Sequence, residues 1–196
     1  NEFYPGDVTI EVAYTLTDEN ELNIKYKATT TEDTLLNLTN HAYFNLDGIS
    51  GNTLDQKLQI NAEKFLELDD EKIPTGNFIP MENHAFDFRS SKNVVAGIDH
   101  CFVLKNNTEP AAILESMKNG VTMKVYTDQP AVQIYVGGKT SDELQNKESV
   151  EYHTESGICF ETQVFPDAPN HEDFPNAILR KGETYQQNTT FQFIIS

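Results

Sequence analysis

The sequence has no tryptophan, only two cysteines and no long apolar run, and these shortages exclude several classes of protein. No stretch approaches the roughly 20 apolar residues that a membrane-spanning helix needs, and no signal peptide opens the chain. Cys101 and Cys159 lie within apolar runs without metal-ligand spacing. We therefore expect buried free thiols in a reducing compartment, and so a cytoplasmic protein, with a disulfide between them as the alternative.

Basic residues are also scarce. Lys and Arg number 14 against 31 Asp and Glu, which gives a formal net charge of −17. Nucleic acids and anionic membranes are disfavoured as partners, because both need basic groups to neutralise phosphates. A well-solvated acidic surface is a sufficient explanation of the charge, and an uncharged ligand such as a sugar is compatible with it. The sequence gives no signal of oligomeric state.

The common catalytic and metal motifs are missing as well. There is no glycine-rich phosphate loop, no paired cysteine cluster and no serine nucleophile elbow. His100, His153 and His171 are spaced too irregularly to predict a metal site. The remaining candidates for chemistry are acids, bases and hydrogen-bonding side chains.

Alternation of apolar and polar residues is the dominant pattern that is present. Ala131 to Val136 predicts a strand with Gln133 and Tyr135 on one face, and Asn119-Gly120 is a strong hairpin turn signal. No long helical periodicity, repeat or linker interrupts the 196 residues. We therefore predict a single all-β domain over residues 1–196, most simply an antiparallel sandwich.

Several local predictions follow from the same pattern. Residues 8–16 and 22–26 alternate as a hairpin with one buried face, and residues 35–39 form a short strand. Residues 73–76 read as a turn, and residues 85–89 as a short extended piece. Residues 137–151 are polar and predict a loop, in which residues 141–147 could make a short helical turn.

The stretch from Gly157 to Asn170 carries the strongest candidate for chemistry. Read as a strand, it places Glu161 on one face between Cys159 and Phe165. Partial shielding from water would raise the pKa of this carboxylate, so that it could accept protons near neutral pH. The alternative is a Glu on a wet strand face, which composition alone favours.

The segment from Leu38 to Gly48 is the second candidate. It reads L-T-N-H-A-Y-F-N-L-D-G, with His41 between two asparagines and two aromatic residues. The alternative is a histidine whose hydrogen bonds are satisfied at a strand end.

These two stretches resemble the E-T-Q-x-x-P-D-x-x-N and L-T-N-H-x-Y-F-N-L signatures of the aldose 1-epimerase (galactose mutarotase) family. Shorter matches follow in the family's order, at residues 73–76, 85–89, 98–102, 133–135 and 174–183. The resemblance implies a large antiparallel supersandwich. Members of the family are longer, so it also implies that this chain is a C-terminal portion, truncated at its N-terminus. The absent half would supply another histidine and an arginine at the sugar.

The resemblance assigns roles to individual residues. Glu161 is the base that removes the proton of the anomeric hydroxyl, and His41 is the acid that protonates the ring oxygen. Asp99 and Gln133 bind sugar hydroxyls. Tyr43 and the backbone around Ala42 line the same pocket. No metal or organic cofactor is implied, because only protons move.

The implied reaction is the interconversion of α and β anomers of galactose or glucose. The alternative of a different class is a non-catalytic carbohydrate-binding module on the same sandwich. An epimerase for a phosphorylated hexose is a third reading, which the shortage of Arg and Lys disfavours.

Overall fold

The computed structural model describes residues 3–49, 51–105, 108–137, 149 and 154–195. Most of the predicted loop over residues 137–151 therefore lies outside the described residues. The strands are β1 (Val8–Leu16), β2 (Glu21–Thr30), β3 (Thr34–Leu35), β4 (Tyr43–Phe44), β5 (Lys57–Ile60), β6 (Ala62–Leu68), β7 (Pro74–Pro80), β8 (Lys92–Asn93), β9 (Asp99–Leu104), β10 (Ala112–Glu115), β11 (Val121–Thr127), β12 (Ala131–Val136), β13 (Ile158–Gln163), β14 (Ile178–Leu179) and β15 (Tyr185–Ile195). Short 3₁₀ turns occupy Thr53–Asp55 and Ala168–Asn170.

Two antiparallel sheets make up the body of the molecule. The seven-stranded sheet has the order β1-β2-β15-β11-β10-β5-β8, and the six-stranded sheet has the order β4-β13-β12-β9-β6-β7. A small third sheet pairs β14 with β3. No helix in the described residues has the length and apolar character that crossing a bilayer requires.

The hydrophobic core lies between the two large sheets. Phe102, Ile134 and Phe160 of the six-stranded sheet pack in one buried cluster with Met123 and Phe191 of the seven-stranded sheet. Strands β9, β12 and β13 turn alternate side chains into this cluster, because side chains alternate with period 2. The prediction of an all-β sandwich is confirmed.

The hairpin of β1 and β2 forms as predicted, but its buried face was predicted wrongly for β1. Ile24 and Tyr26 of β2 are buried, whereas their partners in register, Tyr14 and Val12, are 61% and 40% exposed. Leu16 at the end of β1 is 78% exposed. The apolar row of β1 lies at the edge of the seven-stranded sheet, where the opposing sheet does not cover it.

The turn predicted at residues 73–76 was also wrong. Pro74 begins strand β7, and the chain reverses earlier, over residues 69–73. Asp69 Oδ1 accepts hydrogen bonds from the backbone N–H groups of Glu71 and Ile73, both at 2.9 Å. Lys72 takes a left-handed φ of 64° in this turn. An aspartate that bonds to its own loop closes the turn before the proline.

Two further local predictions need correction, an extended piece and a strand. Residues 85–89 lie in turn and loop geometry, where His84 Nδ1 accepts from the Phe86 N–H at 3.0 Å. The strand predicted over residues 35–39 is shorter and comprises Thr34 and Leu35. Asn37 instead exchanges two side-chain hydrogen bonds with the backbone of Val164, at 2.9 and 3.0 Å. The segment that leads to His41 is therefore attached alongside the end of β13.

Replacement of Phe160 by Ala should reduce the free energy of unfolding by about 3–5 kcal/mol, because it empties a fully packed position between the sheets. Phe160 is 1% exposed. Urea denaturation followed by circular dichroism measures the effect. Ile195→Ala is the control, since Ile195 is 79% exposed and its truncation should change stability by less than about 0.5 kcal/mol. Equal effects of the two substitutions would contradict this description of the core.

Candidate active site

The outer face of the six-stranded sheet, turned away from the core, presents polar side chains in cross-strand rows. In one row Gln133 of β12 lies opposite Glu161 of β13 and Cys101 of β9. In the next row Tyr135 lies opposite Cys159 and Asp99. Directly opposed residues of an antiparallel pair point to the same side. The strand pairing thus brings together residues that are far apart in sequence.

His41 reaches Glu161 from the segment that precedes β4. His41 Nε2 lies 3.3 Å from Glu161 Oε1, and the two side chains are 53% and 12% exposed. Thr39 Oγ1 donates to the backbone carbonyl of Thr162 in β13 at 3.0 Å. Asn40 Oδ1 accepts from the Ala42 N–H at 3.0 Å. These contacts hold the His41 backbone against the strand that carries Glu161.

Tyr43 stands beside His41, with ring centroids 5.2 Å apart. A Cβ atom on Gly157 would lie 3.0 Å from Tyr43 Cβ, so glycine there permits the close approach of β4 to β13. Tyr43 is 52% exposed. Tyr43 borders His41 at the protein surface. The Ala42 N–H already donates to Asn40 Oδ1. Contacts of Tyr43 and of the Ala42 backbone with sugar stay predictions.

Burial raises the pKa of the Glu161 carboxyl above its usual range. The neighbouring imidazole of His41 opposes this rise, and the Asp99 carboxylate adds to it. The increase agrees in direction with the prediction from sequence. Such a group binds a proton more readily than an exposed glutamate does, as a general base near neutral pH requires.

Asp99 is held from two sides. Gln133 Nε2 donates to Asp99 Oδ1 at 2.8 Å, and Lys72 Nζ lies 3.0 Å from Asp99 Oδ2. Lys72 was not predicted as a site residue, and the sequence indicated only a turn next to it. No sequence signal marks it, because its position depends on the turn closed by Asp69.

A cleft of about 420 Å³ lies over this face. Such a volume is within the range of about 300–1,000 Å³ that small-molecule sites occupy. The cleft is lined by His41, Leu68, Lys72, Pro74, Asp99, Cys101, Gln133, Tyr135, Glu161, Gln163 and Pro166. Four of the six predicted site residues thus share one cavity.

A larger groove of about 1270 Å³ lies elsewhere, along residues 4–10, 31–38 and 165–170. It contains none of the predicted site residues and does not include the close pair of His41 and Glu161. Size alone therefore does not identify the site. The smaller cleft is the candidate, because proton donors and acceptors converge there.

The sandwich thus brings a histidine and a partly shielded carboxylate into contact at the wall of a polar cleft, an arrangement that is able to transfer protons. The family described as aldose 1-epimerase matches residues 1–192. The chain belongs to the aldose 1-epimerase family.

Relatives of known sequence and structure agree with this membership. The galactose mutarotase of Mus musculus is 40% identical over 206 residues, with 100% of this chain and 60% of the relative covered. The aldose 1-epimerase of Escherichia coli K12 is 35% identical, with 97% and 60% covered. The chain thus spans about 60% of the length of these relatives.

Solved structures show the same fold. The GalM/aldose epimerase homologue from C. elegans superposes with a TM-score of 0.88 at 33% identity, over 98% of this chain and 61% of that one. The galactose 1-epimerase of Lactobacillus acidophilus NCFM gives a TM-score of 0.85 at 29% identity, over 98% and 59%. The predictions of the family and of its sandwich fold are confirmed.

The neighbours of Glu161 set the direction in which its pKa should move. His41→Ala should raise the Glu161 pKa further, because the imidazole that favours the ionised carboxylate is lost. Asp99→Asn should lower it, because a repelling charge is removed. Carboxyl ¹³C NMR titration measures both shifts. Glu67, bonded to Thr75 and Asn77, serves as an internal reference, and shifts of Glu161 in the opposite directions would refute the assigned electrostatics.

Proposed function

We propose that this chain carries the acid–base machinery of an aldose 1-epimerase that interconverts the α and β anomers of galactose and glucose. The observation that carries the proposal is the approach of His41 Nε2 to Glu161 Oε1, at 3.3 Å, on the wall of a polar cleft. Relatives named galactose mutarotase and aldose 1-epimerase support it, at 35–40% identity.

The proposed reaction begins with Glu161 removing the proton of the anomeric hydroxyl. His41 protonates the ring oxygen as its bond to the anomeric carbon breaks. The open aldehyde rotates and closes on its other face, which inverts the anomeric centre. The hydroxyl and ring oxygens are bonded to the same carbon, so the base and acid that serve them must lie close together. The His41–Glu161 spacing meets this requirement.

The other polar groups of the cleft are suited to sugar hydroxyls. Asp99 offers acceptors, while Gln133 and Lys72 offer donors beside it. Tyr135 adds aromatic surface to the cleft wall. Apart from His41, Lys72 is the basic residue that lines the cleft in the described part of the chain, and it already pairs with Asp99. This pairing favours an uncharged aldose over a phosphorylated one.

The wider setting follows from the same proposal. We place residues 1–196 in a single domain, as the C-terminal part of a mutarotase-like sandwich, in the cytoplasm, with a small sugar as its partner and neither nucleic acid nor a membrane. The two free, buried cysteines and the net charge of −17 support this setting.

Glu161→Gln should reduce catalysed mutarotation of α-galactose by about 10²–10⁴-fold, because the amide keeps the shape but cannot accept the proton. Polarimetry measures the catalysed rate of mutarotation after the spontaneous rate in buffer is subtracted. Glu63→Gln is the matched control, since Glu63 is exposed and pairs with Lys105 outside the cleft. Full activity in Glu161→Gln would exclude the proposed base. Sugar binding without acceleration in either protein would fit a binding module or a site that lacks the family's other half, and the same assay on the full-length protein separates these two.

Asp99→Asn and Lys72→Met should mainly raise KM, because contacts with distant hydroxyls bind substrate and transition state alike. Loss of a hydrogen bond to a charged group, worth about 1.5–3 kcal/mol, predicts a KM about ten- to a hundredfold higher. The free-energy effect of the double variant should be smaller than the sum of the two single effects, since the two side chains contact each other. Lys105→Met is the control. A fall in kcat at unchanged KM would refute a binding role.

A further inference from the structure

Three different metal-ligating atoms converge beside the proposed acid and base. His41 Nε2, Cys159 Sγ and a Glu161 carboxylate oxygen all lie within 4.8 Å of one another. Cys159 precedes Glu161 by two residues in β13, so both side chains point to the same face. The proposed proton transfers leave Cys159 without a role.

The spacing suits a tetrahedral zinc ion. Zinc binds His nitrogen and carboxylate oxygen at about 2.0–2.2 Å and thiolate sulfur at about 2.3 Å, so two of its ligands lie roughly 3.3–3.6 Å apart. His41 Nε2 and Glu161 Oε1 are already 3.3 Å apart. The cluster would have to close by at most about 1–1.5 Å to reach these spacings. The His41 side chain, which is 53% exposed, is the least buried of the three ligands and can contribute to this movement.

The donor set and its burial favour zinc over harder cations. One sulfur, one imidazole nitrogen and one carboxylate oxygen match the preferences of Zn²⁺ and Co²⁺, whereas Mg²⁺ and Ca²⁺ prefer oxygen ligands alone. Cys159 is fully buried and the Glu161 side chain is 12% exposed. Of the three ligands, His41 and Glu161 line the cleft, from which water or a sugar hydroxyl could take the fourth tetrahedral position.

We propose that His41, Cys159 and Glu161 form a Zn²⁺ site whose occupation inhibits mutarotation. Its inhibitory effect rests on the proposed function, because the ion would bind the catalytic acid and base themselves. Binding itself does not rest on it. The thiol gives up its proton to the solvent on ligation, so uptake of the metal releases a proton.

Sequence spacing does not reveal this site. From sequence, the histidines weighed as metal ligands were His100, His153 and His171. His100 and His171 do not belong to the cluster, and His153 lies outside the described residues. The ligands come from β13 and from the segment before β4, which become neighbours through the pairing of Cys159 with Tyr43.

The test is a titration of the reduced 196-residue chain with Co²⁺, followed by absorption spectroscopy. We expect one equivalent to produce the near-ultraviolet thiolate-to-cobalt charge-transfer band, and Zn²⁺ but not Mg²⁺ to remove it by displacement. Cys159→Ser should abolish the band and weaken binding by more than the roughly 10–100-fold that loss of an outer-shell partner costs. Absence of the band in the unmodified chain would overturn the proposal.

Cys101→Ser is the matched control, because Cys101 is also buried on this face but lies outside the cluster. It should keep the band, and a band that disappears in Cys101→Ser but persists in Cys159→Ser would refute the assigned ligand. His41→Ala is a second variant that leaves the buried core untouched. His41→Ala should weaken Co²⁺ binding, and the thiolate band should still form at high Co²⁺ because Cys159 is kept. An unchanged Co²⁺ affinity would overturn the site.

Mutarotation assays separate the two proposals. Zn²⁺ should slow the catalysed rate, a chelator should restore it, and Cys159→Ser should resist the inhibition relative to its own metal-free rate. A cobalt band without any catalysed mutarotation would leave the metal site standing and count against the proposed function. Catalysed mutarotation without a band and without zinc inhibition would overturn the metal site and support the proposed function.

Discussion

The register of β9, β12 and β13 is the constraint on which the rest of this structure depends. Ile134 and Phe160 enter the core from these strands, while Gln133, Tyr135 and Glu161 face the cleft from the positions between them. A slip of one residue would bury the carboxylate among phenylalanines and expose the core. The same pairing therefore fixes the hydrophobic interior and the candidate site, and neither can change without the other.

The site contains a carboxylate, that of Glu161, which is kept largely out of water at a cost in free energy. Desolvation disfavours its ionised form, and the contact with His41 offsets part of that cost. On the adjacent row, Asp99 receives hydrogen bonds from Gln133 and Lys72. The two acids thus lie on the same face in different surroundings, in line with the proposal that Glu161 accepts protons and Asp99 binds the sugar.

Local patterns were sufficient to predict much of the fold. Alternation located β12 with its correct bounds, and Asn119-Gly120 predicted the hairpin of β10 and β11. The roles of His41 and Glu161 were a different matter, because composition alone favoured a solvated glutamate. Their assignment rested on resemblance to a family, and the structure adds that the two side chains meet.

The features missed from sequence depend on the surroundings of a segment rather than on its own pattern. Lys72 reaches the cleft because Asp69 closes an early turn and Lys72 adopts a left-handed backbone. The apolar alternation of β1 is identical in kind to that of a buried strand, but within the described residues the opposing sheet does not extend over it. Neither effect is encoded within a window of neighbouring residues.

The uncovered strand β1 also has a consequence for how the molecule opens. Among the described residues, β2 is the strand that pairs with β1, and the apolar row of β1 contributes little to the core, so β1 belongs to the least protected part of the seven-stranded sheet. The cleft is built on the other sheet. Detachment of β1 would therefore be a local unfolding event, and the contact between His41 and Glu161 would remain in place.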